Sequence, residues 1–232
     1  MARAEEFPVS DIFREVEEEV RREHYQKLWK KYGNYAIAAA ALIVIAVAGY
    51  QLWQAWDRSQ REEASREFHA AEQLADAGRL AEAEDAFAKL AKDGPDGYAT
   101  LSKFHQAAIM VAAGKRDQGL ALYGQLAQLK DSNLAGVARL RMAWAQAEYT
   151  PREQLEKAVG PLMGPDSPWR HAALEVLAYA DLRAGRREIA VKQYQQLAAD
   201  TKAPQGVRDR SNAMAEFLKA NPSVNAITPP QP

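Results

Sequence analysis

The sequence predicts an all-α protein: a single transmembrane helix followed by an α-solenoid of about four helix–turn–helix pairs and a C-terminal capping helix. Three observations carry this expectation. No charged residue lies between Lys31 and Asp57. Three later windows of the chain align without gaps on a shared glycine. No stretch of any length alternates apolar and polar residues as a half-buried strand does. Spaced Gly and Pro among abundant Ala fit helices divided by turns.

Composition narrows the function classes. The chain has 30 Lys+Arg against 31 Asp+Glu, a formal net charge of −1, so no overall field favours nucleic acid. No basic patch with interleaved aromatics suggests a single-strand binder. The absence of Cys excludes disulfides, thiol nucleophiles and thiolate metal sites.

Residues 1–33 read as an amphipathic lead on the cytoplasmic side. Ile12, Phe13, Val16, Val20 and Leu28 recur at helical spacing, and Ser10 and Asp11 suit a helix start. Glu15, Glu17, Glu18, Glu19 and Glu23 lie away from the apolar run, whereas basic residues crowd toward it. Attraction of Lys and Arg to anionic headgroups accounts for this pattern. A docking helix for a cytosolic or membrane partner is the alternative.

Residues 34–53, NYAIAAAALIVIAVAGYQLW, read as the transmembrane helix. Twenty helical residues rise about 30 Å, the thickness of a hydrocarbon core. Trp29, Tyr32 and Tyr35 flank one end and Tyr50, Trp53 and Trp56 the other, as interfacial aromatics do. Arg14, Arg21, Arg22, Lys27, Lys30 and Lys31 precede the run, against Arg58, Arg61 and Arg66 after it. The positive-inside rule then puts the N-terminus in the cytoplasm and the bulk of the chain, residues 54–220, on the other side of the membrane. Two other readings are a buried core helix and a cleavable signal peptide with Ala46-Val47-Ala48 before the cut. A run this long without charge opposes the first, and the long region preceding it opposes the second.

No helix breaker separates Gln54 from Ala77, so the helix either continues into the first repeat or stops near Asp57. The three repeat windows start at Ala70, Gln106 and Leu177, with turn glycines Gly78, Gly114 and Gly185. The glycines are 36 and then 71 residues apart, one period and two. Each is followed by a small residue at +5 (Ala83, Gly119, Ala190), an aromatic at +9 (Phe87, Tyr123, Tyr194) and Leu at +12 (Leu90, Leu126, Leu197). A small residue precedes each at −7 (Ala71, Ala107, Ala178). This is the tetratricopeptide period and register; another α-solenoid or a generic bundle is the alternative.

A degenerate unit fills the gap. Asn133–Glu148 carries Leu134, Val137, Leu140 and Trp144 as a helical stripe. Thr150-Pro151-Arg152-Glu153 suggests a capping box opening its second helix, with Leu155, Val159 and Leu162 apolar. Ser167-Pro168 opens the last pair by the same logic. A capping helix is expected from about Gln205 to Lys219, with Val207, Met214, Phe217 and Leu218 on one side and charge on the other. The tail, 221–232, has four prolines and is expected to be disordered.

His24, His69, His105 and His171 show no metal-binding spacing, and no nucleophile elbow or phosphate loop occurs. No catalytic, cofactor or metal site is expected. What remains is binding: Phe68, Phe104 and Tyr179 are candidates for a concave groove that holds an extended or helical peptide. Aromatics at helical spacing also serve as core, which is the competing role for each.

The chain resembles the YfgM-type family of bacterial inner-membrane proteins. The resemblance lies in Ile12-Phe13-Arg14-Glu15-Val16 with Glu18-Glu19-Val20-Arg21-Arg22, the segment Trp29 to Tyr50, and the repeat windows, over about residues 10–220. It implies a non-enzymatic ancillary subunit of the SecYEG translocon, working with a membrane-anchored periplasmic chaperone on client polypeptides. A membrane-anchored scaffold for cell-envelope assembly or division is the alternative.

Overall fold

The computed structural model describes the backbone of residues 9–222, and side chains from residue 21 onward apart from His24. Among the described residues it is helical throughout, without a strand. Residues 1–60 and 61–232 form two units.

Within the first unit the chain is one stretch of helix α1, which spans Val9–Asp76. Val9 and Ser10 are both already helical, so Ser10 lies within the helix rather than at its cap. No Pro interrupts it, and Gly33 and Gly49 are tolerated at helical φ. Trp29 lies against Gly33, where an added Cβ would stand 3.2 Å from the indole. From Ile37 to Leu52 the large apolar side chains face outward, with Leu42, Ile43, Val44 and Ile45 each about two-thirds exposed. By length and composition this helix can cross a membrane, and none of its most apolar window is buried.

The second unit is built from helix pairs. The C-terminal part of α1 pairs with α2 (Leu80–Asp93), and α3 (Asp96–Ala112) with α4 (Arg116–Leu126). The third pair is α5 (Ser132–Gln146) and α6 (Arg152–Val159), extended by a 3-10 turn at Gly160–Leu162. The fourth is α7 (Arg170–Arg183) and α8 (Arg187–Ala199), followed by α9 (Gln205–Ala220).

The three turn glycines have φ of +74°, +80° and +75°, and among the described residues nothing else has positive φ. Each closes a helix in the same way. Arg79, Lys115 and Arg186 donate their backbone N–H back to Leu74, Met110 and Asp181 at 2.8–2.9 Å. This is the Schellman closure, which needs a left-handed residue that only Gly adopts at little cost.

The repeat columns are the core. Ala83, Gly119 and Ala190 are buried, as are the −7 residues Ala71, Ala107 and Ala178. At Gly119 a Cβ would come within 2.7 Å of Ala107 O and Val111 Cγ2, so the two helices touch there. Phe87, Tyr123 and Tyr194, and Leu90, Leu126 and Leu197, are at most 4% exposed. In the first pair Phe68 packs edge-on against Phe87 at 5.3 Å, and His105 of α3 stacks on Phe87 at 5.0 Å. The +9 aromatic therefore joins one pair to the next, as its position in the period requires.

Two corrections concern helix ends and a third the face of α9. Pro151, not Thr150, is the N-cap of α6, and no side-chain capping bond forms, so the capping box is absent. α7 starts at Arg170, two residues after Pro168, with Ser167 Oγ accepting from Trp169 N at 3.3 Å instead. In α9, Val207 and Leu218 are buried but Phe217 is half exposed, because it sits one residue off the stripe facing α8. The expected disorder of the tail falls, beyond Pro222, outside the described residues.

Candidate functional site

The missing turn glycine decides where a site forms. In the third pair α5 ends at Gln146, and the chain takes a longer turn from Ala147 to Pro151 with no positive φ. Tyr149 and Thr150 both donate their N–H to Gln146 O at 3.0 Å. This turn leaves Tyr149 61% exposed. Arg116, at the start of α4, lies over the Tyr149 ring at 3.6 Å and donates to Ala145 O at 3.0 Å. A guanidinium held by a π face and a carbonyl is a fixed wall rather than a mobile side chain; such a contact contributes about 0.5–2 kcal/mol.

One turn back on α5, Trp144 is 38% exposed and meets Tyr179 of α7, ring centroids 5.6 Å apart and planes 52° apart. Val111 and Gly114 close the side toward the second pair, and Glu148 adds a carboxylate. The resulting concavity holds about 680 Å³. Burial pushes the Tyr179 phenol up, helped by the nearby Glu148 carboxylate and opposed by Arg183, so the hydroxyl stays a neutral donor at physiological pH. The arrangement offers two flat aromatic platforms, a fixed cation and an acceptor. That set suits an extended polypeptide with apolar or ring side chains.

Of the three sequence candidates, only Tyr179 reaches this concavity. Phe68 is 8% exposed, in the core with Phe87; Phe104 is 4% exposed, packed toward Tyr123 at 6.4 Å. The reason is register. Phe68 and Phe104 lie three residues before Ala71 and Ala107, on the helix face that meets the paired helix. Tyr179 lies one residue after Ala178 and is rotated away from that face by about 100°. The residue equivalent to Phe68 and Phe104 in the fourth pair is Glu175, which is buried too.

Sequence reasoning missed Arg116, Glu148 and Tyr149, and read Trp144 only as part of a helical stripe. The signal that pointed here was the absent glycine of the third pair, which leaves a turn too long to tuck its side chains inward.

The six aromatics proposed for a membrane interface all lie in the first unit. Trp29, Tyr32, Tyr35, Tyr50, Trp53 and Trp56 are each more than half exposed. Lys31 Nζ lies 5.3 Å over the Tyr32 ring, and Tyr50 and Trp53 contact at 6.1 Å.

Helix pairs stacked in register around Schellman glycines, with an aromatic hollow between them, define a polypeptide-interaction module of the tetratricopeptide kind. Residues 26–162 match the family described as "Tetratricopeptide repeat-like domain", and the chain belongs to that family. The match runs from the apolar helix through the third pair; the fourth pair repeats the same columns beyond it. Such domains are typically non-catalytic protein-interaction modules. No curated protein and no solved structure matches the chain.

Proposed function

We propose that this chain is a membrane-anchored, non-enzymatic adaptor. Residues 34–53 cross the bacterial inner membrane, residues 1–33 stay in the cytoplasm and residues 54–220 work in the periplasm. The Trp144–Tyr179 concavity binds client or partner polypeptides. The observation that carries this reading is an apolar helix whose most apolar window is 0% buried, in a chain whose other unit presents an aromatic hollow. The excess of Lys and Arg before the apolar run supports the orientation.

The finer assignment is an ancillary subunit of the SecYEG translocon, acting beside a membrane-anchored periplasmic chaperone. It rests on the YfgM-type resemblance. Confinement beside a channel raises effective concentration, so weak groove contacts suffice for emerging clients. The test is photo-crosslinking in membranes from positions 35–50 and from position 144. Channel subunits are expected from the first set and client polypeptides from the second. Adducts with envelope-synthesis proteins, and none with the channel, would replace this assignment with a scaffold role.

A further inference from the structure

We infer that the hollow is selective for charge: against Trp144, Tyr179 and Glu148 it takes a positively charged side chain, lysine or arginine, of the bound polypeptide. The inference rests on the groove reading above and adds a charge requirement to it.

Three observations lead here. The first is a carboxylate without a partner. Arg116 and Glu148 are the charged side chains that line the hollow. The Arg116 guanidinium is committed, lying over the Tyr149 ring at 3.6 Å and donating to Ala145 O at 3.0 Å. Glu148 is half-buried, and among the described residues its carboxylate makes no ion pair and accepts no hydrogen bond. A ligand cation supplies the charge-assisted bond that such a carboxylate lacks.

The second is the pair of rings beside it. Glu148 follows Trp144 by four residues, and Ala147 between them keeps helical angles (φ −57°, ψ −28°), so both side chains leave the same side of the α5 end. The charge of Glu148 also reaches the Tyr179 phenol, whose pKa it helps to raise. A cation over an indole or phenol face is attracted by the ring quadrupole, and indole is the strongest platform. Neutral and acidic side chains gain neither this attraction nor the pairing with Glu148.

The third is the field of the backbone. Val111 lies in the last turn of α3, and Trp144 and Ala145 in the last turn of α5, so two helix C-termini border the hollow. Such ends carry partial negative charge and favour cations. The end of α5 already draws two guanidinium groups, Arg116 to Ala145 O and Arg183 to Ala147 O at 2.6 Å. Each is spent on a carbonyl, and neither pairs with Glu148.

The experiment titrates the full chain in non-ionic detergent against three short rhodamine-labelled peptides, blocked at both ends and built of alanine, leucine and serine. They differ only in a central arginine, citrulline or glutamate; citrulline keeps the shape of arginine without its charge. Fluorescence anisotropy, corrected for empty micelles, gives each Kd. The arginine peptide should bind about fivefold or more tightly than the citrulline peptide, with the glutamate peptide weakest. Glu148→Gln should abolish that preference and leave citrulline binding unchanged. Trp144→Ala should weaken the arginine and citrulline peptides alike, with the helical circular dichroism of both variants as in the native chain. Equal Kd values, a preference that survives Glu148→Gln, or tightest binding of the glutamate peptide (drawn by Arg116) overturns the charge requirement. The groove reading stands in those cases as long as Trp144→Ala weakens binding. If no peptide binds, or if binding ignores Trp144→Ala, both fall.

Discussion

Gly119 and Gly124 stand five residues apart on α4 and separate two effects of the same residue type. A Cβ at Gly119 would collide with Ala107 O and Val111 Cγ2, whereas a Cβ at Gly124 meets nothing within 4 Å. Gly119→Ala therefore forces the second pair apart and should lower stability by about 1–3 kcal/mol. Gly124→Ala removes backbone freedom from the unfolded chain in a helical position and should raise stability by about 0.5–1 kcal/mol. Thermal melts of the two variants by circular dichroism should move in opposite directions. His105 gives a second residue-scale expectation. Its ring contacts Phe68 at 4.9 Å and Phe87 at 5.0 Å, and burial pushes its pKa below the ordinary value of 6.5, with Arg141 also lowering and Glu72 raising it. The folded state then keeps the ring neutral while the unfolded chain takes up a proton. The stability that this provides is complete above pH 6.5 and is lost as pH falls below that value toward the folded-state pKa. Urea midpoints at pH 7.5 and 5.5 should fall further for the native chain than for His105→Leu; equal falls would rule the group out.

At the scale of elements, charge pairs one repeat apart clasp neighbouring helices. Lys115 bonds the buried Glu84 at 3.0 Å, Arg152 bonds Asp181 at 3.1 Å, and Arg210 grips Glu175 through two bonds of 2.9 and 2.7 Å. The partners are 31, 29 and 35 residues apart, close to the repeat period. Glu175 is 6% exposed, so Arg210→Met leaves a buried carboxylate unpaired and should loosen α9 at a cost of up to about 3 kcal/mol. Glu175→Met/Arg210→Met should recover most of that loss, because an apolar pair at the same place carries no desolvation penalty. Hydrogen exchange of the α9 amides reads both effects; an unchanged single variant would mean the pair is ornamental. These elements also mark what could be read in advance. The Gly, small, aromatic and Leu columns were legible because each states a local steric demand three times over. The groove was not, because it depends on how far each first helix is rotated about its axis. That rotation put Phe68 and Phe104 inward and Tyr179 outward. Tyr149 lay in a turn without periodicity, and its partner Arg116 stands 33 residues earlier in the chain. The arginine clasps were invisible to an apolar pattern search, although their spacing near one period was available in the sequence.

For the whole molecule, the question is what solvent each of the two units needs. Among the described residues of the second unit, the repeat columns are buried. Residues 34–53 bury nothing: Ile37, Leu42, Ile43, Val44, Ile45 and Val47 are each at least half exposed and point to all sides of α1. A soluble monomer seldom tolerates a contiguous apolar patch beyond about 300–600 Å², and a helix apolar all round has no face left for water. Lipid removes that conflict, since every backbone group of the helix is already bonded internally. The full chain should therefore stay with the membrane fraction through alkaline carbonate washing. Arginine at both Ile43 and Val47 costs about 2.5–3.5 kcal/mol per residue at mid-helix, and should release the chain to the wash or to inclusion bodies without altering the fold of residues 61–232. The second half of that expectation matters as much as the first. If the double arginine variant leaves the membrane and its repeat unit still melts as the native one does, the apolar helix serves as anchor alone. If the repeat unit unfolds with it, the helix is part of the folded core, and the adaptor reading loses its membrane tether.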